Sequence, residues 1–184
     1  MKILVVGPSW VGDMMMSQSL YRTLRARYPQ AIIDVMAPAW CRPLLSRMPE
    51  VNEAIPMPLG HGALAIGERR KLGHSLRERR YDRAYVLPNS FKSALVPFFA
   101  NIPLRTGWRG EMRYGLLNDA RVLDKDAWPL MVERYVALAY DNGVMRCAKD
   151  LPQPLLWPQL QVNEGEKSQA CSAFNLSNDR PIIG

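Results

Sequence analysis

Seven consecutive residues near the amino terminus, Gly7-Pro8-Ser9-Trp10-Val11-Gly12-Asp13, bring two glycines, a hydroxyl, an indole and a carboxylate into one short stretch. Three chemistries compete for such a segment. A dinucleotide fingerprint, GxGxxG, needs a glycine two residues after the first, and position 9 is serine. The GxxxxG spacing of a phosphate-binding P-loop is present, but Asp13 stands where that loop carries its lysine, and a carboxylate there repels phosphate. The third chemistry is acid–base. An Asp in the first turn of a helix is favoured in its ionised form by the helix dipole, and an ionised carboxylate can take the proton of an attacking hydroxyl. Asp is equally a common N-cap residue, so base and cap both stand on these residues alone.

Further groups able to hold a ligand lie downstream. A basic run carries Arg69, Arg70, Lys71, Arg77, Arg79 and Arg80. It reads either as a solvated helix face beside a half-buried stripe through Leu72 and Leu76, or as an anion-binding surface using charge-assisted hydrogen bonds. Asn89, Ser90 and Lys92 follow a strand that ends at Pro88; they could grip sugar hydroxyls or a phosphate, or simply form a turn and cap a helix. Arg109 and Arg113, in an irregular Gly- and Arg-containing stretch, are candidates of the same kind, and Trp10 could pack on a sugar ring or be buried. His61 and His74 are isolated, and nothing resembles the clustered ligands of a metal site.

These groups need elements to place them. KILVVG (2–7) is a short apolar β-branched run closed by Gly-Pro, the pattern of a buried parallel strand. A helix is predicted over 13–27, where Met16, Leu20, Leu24 and Tyr28 recur at four-residue spacing before Pro29. Strand–helix alternation continues with a strand at 31–37, a short helix at 40–48, a short strand at 52–57, the basic helix at 62–80, a strand at 81–88 and an apolar helix at 93–100. Residues 104–128 read as mixed and turn-like, and a helix is predicted over 129–143 with Pro129 in its first turn and Gly143 as its C-terminal cap. LPQPLLWPQLQV, with three prolines, reads as an extended connection, followed by one more short helix at 163–174. The final RPIIG again resembles a strand closed by glycine, so residues 1–176 are expected to form one Rossmann-like α/β domain, a parallel sheet with helices on both faces, and 177–184 to open a second, truncated one.

Bulk properties bound the function. The chain has 184 residues, enough for one full α/β domain, with ordinary globular proportions of 48% hydrophobic and 22% charged residues. A net charge of +7 favours an anionic partner. Cys41, Cys147 and Cys171 are dispersed and odd in number, which argues against a disulfide framework or zinc site and for a reducing cytoplasm. The amino terminus reads as a strand and not as a signal peptide, and no stretch approaches the roughly 20 apolar residues that span a bilayer. Nucleic acid is disfavoured, because the basic residues lack interleaved aromatics and no recognition motif is present.

One resemblance goes beyond these limits. GPSWVGDMMMSQSLYRTLRARYP, VMAPAWCRPLLSRMPEV, RYDRAYVLPNSFKSALVPFFANIPLRTGWRGEMRYGLLND and MVERYVALA closely resemble the ADP-heptose:lipopolysaccharide heptosyltransferases, with the match closest to the heptosyltransferase II group. The resemblance runs through essentially the whole chain. It implies the acceptor-side domain of a GT-B type glycosyltransferase, with ADP-heptose as donor held mainly by another domain, heptosyl-Kdo2-lipid A as acceptor, and no cofactor or metal. It also implies Asp13 as the base of an inverting displacement. Acceptor contacts would fall to Ser9, Trp10 and Gly12 of the same loop, to Arg69, Arg70 and Lys71, which lie where the family carries a basic acceptor-binding stretch, and to Asn89, Ser90, Lys92, Arg109 and Arg113. Such an enzyme would work at the cytosolic face of the bacterial inner membrane, attached peripherally. Without the resemblance, the alternative is a non-catalytic Rossmann-like module that binds a nucleotide or an anion.

Overall fold

The computed structural model describes residues 1–59 and 63–176. The expected strand in RPIIG, the second domain it would open, and His61 lie outside the described residues.

Strict alternation of side chains across each strand builds two cores from one sheet. In β1 (Lys2–Val6), Ile3 and Val5 point to one face and Leu4 and Val6 to the other. The first face, with Ile33 and Val35 of β2 (Ile32–Ala37), is covered by α1 (Val11–Arg27), by α5 (Met131–Ala137) and by the short α2 (Arg42–Leu45). The second, with Met36, Ile55 of β3 (Glu53–Pro56), and Ala84 and Val86 of β4 (Arg83–Val86), is covered by α3 (Ile66–Leu76) and α4 (Leu95–Phe99). β5 (Leu104–Trp108) and β6 (Asp119–Arg121) complete the sheet, whose order is β3-β2-β1-β4-β5-β6 with every pairing parallel. The order reverses between β1 and β4. Above the carboxyl ends of those two strands a crevice opens where open α/β sheets bind their ligands.

The largest departure from expectation is in the segment 104–128, which contains two strands where turn-like structure was predicted. Arg105 and Arg121 supply the reason. Half-burial of Arg105 and burial of Arg121 are tolerated because each guanidinium is bonded: Arg105 donates to the carbonyls of Ile102 and Leu116, and Arg121 pairs with Asp119 at 2.7 Å and donates to the Ala137 carbonyl. The helix predicted over 129–143 is shorter than expected. It begins after Leu130, whose N–H donates to the Glu133 carboxylate, so Pro129 precedes the first turn; it ends at Ala137, and Gly143 sits beyond it at φ +81°. The basic helix is confined to Ile66–Leu76, with a separate 3-10 turn at Arg77–Arg79.

The proline-rich connection, regular in neither sense, is strapped along α1. Fully buried Gln18 donates to the Gln159 carbonyl and accepts from the Gln159 N–H, both at 2.9 Å, and Arg22 donates to the Trp157 carbonyl. The chain then enters α6 (Glu164–Ala173), capped by the Asn163 side chain.

Candidate active site

Two loops frame the crevice. The first follows β1 and is held down by its backbone: Gly7 N–H donates to the Met36 carbonyl at 2.9 Å, and the Trp40 indole N–H donates to the Ser9 carbonyl at 2.9 Å. Position 7 is closely packed: a Cβ there would stand 2.6 Å from the Met14 methyl, which would have to move aside, and 3.3 Å from the Met36 carbonyl oxygen. Gly12, in contrast, faces open space. The chain turns into α1 with Trp10 as N-cap residue, and no side chain caps this terminus. Asp13 therefore lies in the first turn without serving as the N-cap, half-buried.

The second loop follows β4 and is braced from beneath by Arg113. This residue is 3% exposed, and its guanidinium donates to the Pro88 carbonyl at 2.7 Å, to the Trp108 carbonyl, and at 3.4 Å to the Asn89 side chain. Desolvation pushes the guanidinium down to about 10, opposed by the Glu111 carboxylate. Glu111 is itself engaged, accepting from the Phe91 N–H at 2.7 Å. Ser93 closes the loop by donating to the Pro88 and Ser90 carbonyls. Gly110 is required under it, since a Cβ would fall 2.3 Å from the Asn89 carbonyl oxygen.

Ser9 and Pro88 form a ridge that divides the crevice into two cavities, and both residues line each. The first cavity, about 420 Å3, holds Asp13 with Trp10, Asn89, Lys125, Arg134 and Tyr135 around it. The second, about 340 Å3, holds Arg69, Ser90, Lys92 and Glu111 against an apolar wall that includes Trp40, Met36 and Met57.

The proposed ligand contacts are thus distributed unevenly. Asp13, Trp10 and Asn89 share the first cavity, Arg69, Ser90 and Lys92 the second, and Ser9 faces both. Gly12, Arg70, Lys71, Arg109 and Arg113 line neither. Arg70 and Lys71 are exposed, whereas Arg69 is 4% exposed and donates to the carbonyls of Leu64 and Ala63, with burial holding its guanidinium below the ordinary range. Arg109 lies over the Tyr114 ring. Trp10 is 69% exposed, so it stands at the cavity mouth and not in the core. His74 is exposed beside Phe99. Among the described residues no three His, Cys, Asp or Glu side chains group to hold a metal ion.

Three ionisable residues of the Asp13 cavity escaped the sequence reading. Lys125 sits at the tip of a turn whose Asp124 carboxylate accepts the N–H groups of Asp126 and Ala127. Arg134 is anchored by Nε to the Trp128 carbonyl at 2.7 Å and by one terminal nitrogen to that of Pro129 at 3.1 Å. Tyr135 is 5% exposed and shares the cavity with Asp13. The adjacent Arg134-Tyr135 pair, next to an acidic residue in the first turn of an apolar helix, was the one sequence signal available.

An all-parallel sheet of this strand order, with a carboxylate and two cations in the crevice at its switch point, defines a Rossmann-like ligand-binding domain. Comparison with known proteins makes the class specific. Residues 69–184 match the model of glycosyltransferase family 9 (heptosyltransferase), and the chain belongs to that family. It is 90% identical over 184 residues to lipopolysaccharide heptosyltransferase 2 of Salmonella typhimurium and 88% identical to that of Escherichia coli, covering 100% of this chain and 53% of each relative. The solved E. coli ADP-heptose lipopolysaccharide heptosyltransferase II superimposes with a TM-score of 0.90 at 84% identity, over 98% of this chain and 53% of that one. The chain thus spans about half the length of the relatives it matches, and its fold is the α/β fold of their GT-B type amino-terminal half.

Proposed function

We propose that this chain is the acceptor-side part of an inverting heptosyltransferase of lipopolysaccharide inner-core synthesis, transferring L-glycero-D-manno-heptose from ADP-heptose to heptosyl-Kdo2-lipid A. The observation that carries it is the placement of Asp13: a half-buried carboxylate in the first turn of α1, uncommitted to capping, inside a cavity at the sheet's switch point. In the reaction an acceptor hydroxyl oxygen attacks the anomeric carbon of the donor heptose and gives its proton to Asp13. The bond from that carbon to ADP breaks on the opposite face, and the electron pair departs with the diphosphate. The scheme needs no metal. In this reading Ser9, Asn89 and Trp10, which line the Asp13 cavity, hold the reacting sugar, while Arg69, Ser90 and Lys92, which line the neighbouring one, suit the acidic Kdo and phosphate groups that lie further along the acceptor.

Residues 1–176 form the acceptor-side domain in this scheme, and because the chain spans about half the length of its relatives, the 184 residues alone are expected not to turn over. No described helix is long and apolar enough to cross a membrane. A net charge of +7 supports peripheral, salt-sensitive attachment to the anionic cytosolic face of the inner membrane, where a nucleotide sugar meets a lipid-anchored acceptor. The deciding experiment measures heptose transfer by the full-length protein with and without Asp13→Asn. Loss of turnover with acceptor binding retained supports the assignment. Undiminished transfer removes Asp13 from the chemistry, and no transfer by the unaltered protein overturns the function.

A further inference from the structure

Four tyrosines of this chain are almost fully buried, and three of them are satisfied. The Tyr21 hydroxyl meets Ser17 Oγ at 2.7 Å, Tyr81 donates to the Asp34 carboxylate at 2.6 Å, and Tyr85 interacts with the Arg83 guanidinium. Tyr135 is the exception. Only 5% of it is exposed, and its hydroxyl makes no hydrogen bond to any described residue. Nor is that oxygen sealed in the interior, because the described side-chain atoms both buried and unsatisfied are Ser19 Oγ and Arg113 Nε. Tyr135 lines the Asp13 cavity.

Burying a phenol without a partner costs free energy, whereas the ring alone would pack as well as phenylalanine. A hydroxyl kept under those conditions and opened towards a carboxylate has its partner in whatever fills the cavity. Burial and the nearby Asp13 charge both hold the phenol above its ordinary range, so it stays protonated and acts as a donor at any working pH. The charged groups facing it are Asp13 from α1, Arg134 from its own helix, and Lys125 from the preceding turn. Arg134 is committed to two carbonyls, so Tyr135 is the neutral donor of the group.

We propose that the Tyr135 hydroxyl is an acceptor-binding group of this centre, donating a hydrogen bond to a sugar oxygen beside the hydroxyl that Asp13 deprotonates. The inference rests on the transferase reading above and adds a contact to it. A sugar suits the position because it offers an oxygen to Tyr135 and a proton to Asp13 from neighbouring carbons, while the Trp108 and Leu87 side chains lining the same cavity face its C–H surface.

The test compares the full-length protein with its Tyr135→Phe variant. It measures the dissociation constant for heptosyl-Kdo2-lipid A without donor, then KM for each substrate, kcat and the melting temperature. The expected result is acceptor affinity weakened about 10-fold, as for loss of one good hydrogen bond, with KM for ADP-heptose unchanged and melting temperature equal or higher. Unchanged acceptor affinity and unchanged KM overturn the proposal, and that is what a merely structural tyrosine predicts. If the unaltered protein binds acceptor but does not transfer heptose, the transferase reading fails while the binding comparison still decides the role of Tyr135. If it binds no acceptor at all, both fall.

Discussion

The two cavities on either side of the Ser9–Pro88 ridge have nearly the same size and opposite character. In the first, a carboxylate and a phenol are open to the cavity and the cations stand around them. In the second, the cations face the cavity and the one carboxylate, Glu111, is already spent on the Phe91 N–H. A base must be unengaged and polarised; a grip for anions must present cations and hide its acids. On the proposed reading, chemistry and hold would fall on opposite sides of a single ridge, built from the two loops that leave the central strands.

Substitutions can break that comparison at either side. The largest effect is expected from Asp13→Asn, which removes a proton acceptor with almost no change of shape: kcat in the full-length protein should fall by about 10²- to 10⁴-fold, with acceptor dissociation little altered, as read by steady-state kinetics and direct binding. On the other side of the ridge, Lys92→Ala should raise KM for the acceptor about 10-fold and leave kcat near its original value, the signature of a contact made equally in ground and transition states. A fall in kcat as large as that of Asp13→Asn would erase the distinction between the cavities. Arg113→Met should affect both sides together, since it frees the Pro88, Asn89 and Trp108 acceptors beneath the ridge; chemical denaturation should show a loss of about 2 kcal/mol.

The smallest effect lies away from the crevice and serves as a control. A hydrogen bond from Arg79, aided by its charge, holds the Glu53 carboxyl below its ordinary value of 4.5. A depressed carboxyl pKa stabilises the fold above the unfolded value, and the contribution disappears as pH falls through the folded one. Glu53→Gln should therefore lower stability at neutral pH by less than about 1 kcal/mol, because the side chain is 45% exposed. The difference from the unaltered protein should vanish in strongly acidic urea titrations, with transfer unaffected throughout.

Much of this was legible before any coordinates. The alternation of KILVVG and AIIDVMA with amphipathic segments dictates a parallel sheet, and the glycine-bounded Asp13 stretch could fall only at a strand's carboxyl end. What escaped had physical causes. β5 and β6 carry Arg105, Gly107, Asp119 and Arg121, residues that read as loop by type, and the carbonyls that satisfy the two arginines, those of Leu116 and Ala137, lie 11 and 16 residues away. Arg69, Arg70 and Lys71 look alike in sequence. Successive helical residues are turned by about 100°, so one faces the crevice and its neighbours face solvent. Tyr135 was invisible for the opposite reason: an aromatic in an apolar helix reads as core, and only the missing partner of its hydroxyl marks it.

The strap along α1 also contains its own gauge. Pro152, Pro154 and Pro158 have no N–H, while the Gln159 N–H is held by buried Gln18 and the Gln161 N–H by the Arg47 carbonyl. Those two amides should exchange slowly with solvent, and their measured exchange rates would report how often the connector lifts off the helix that carries Asp13.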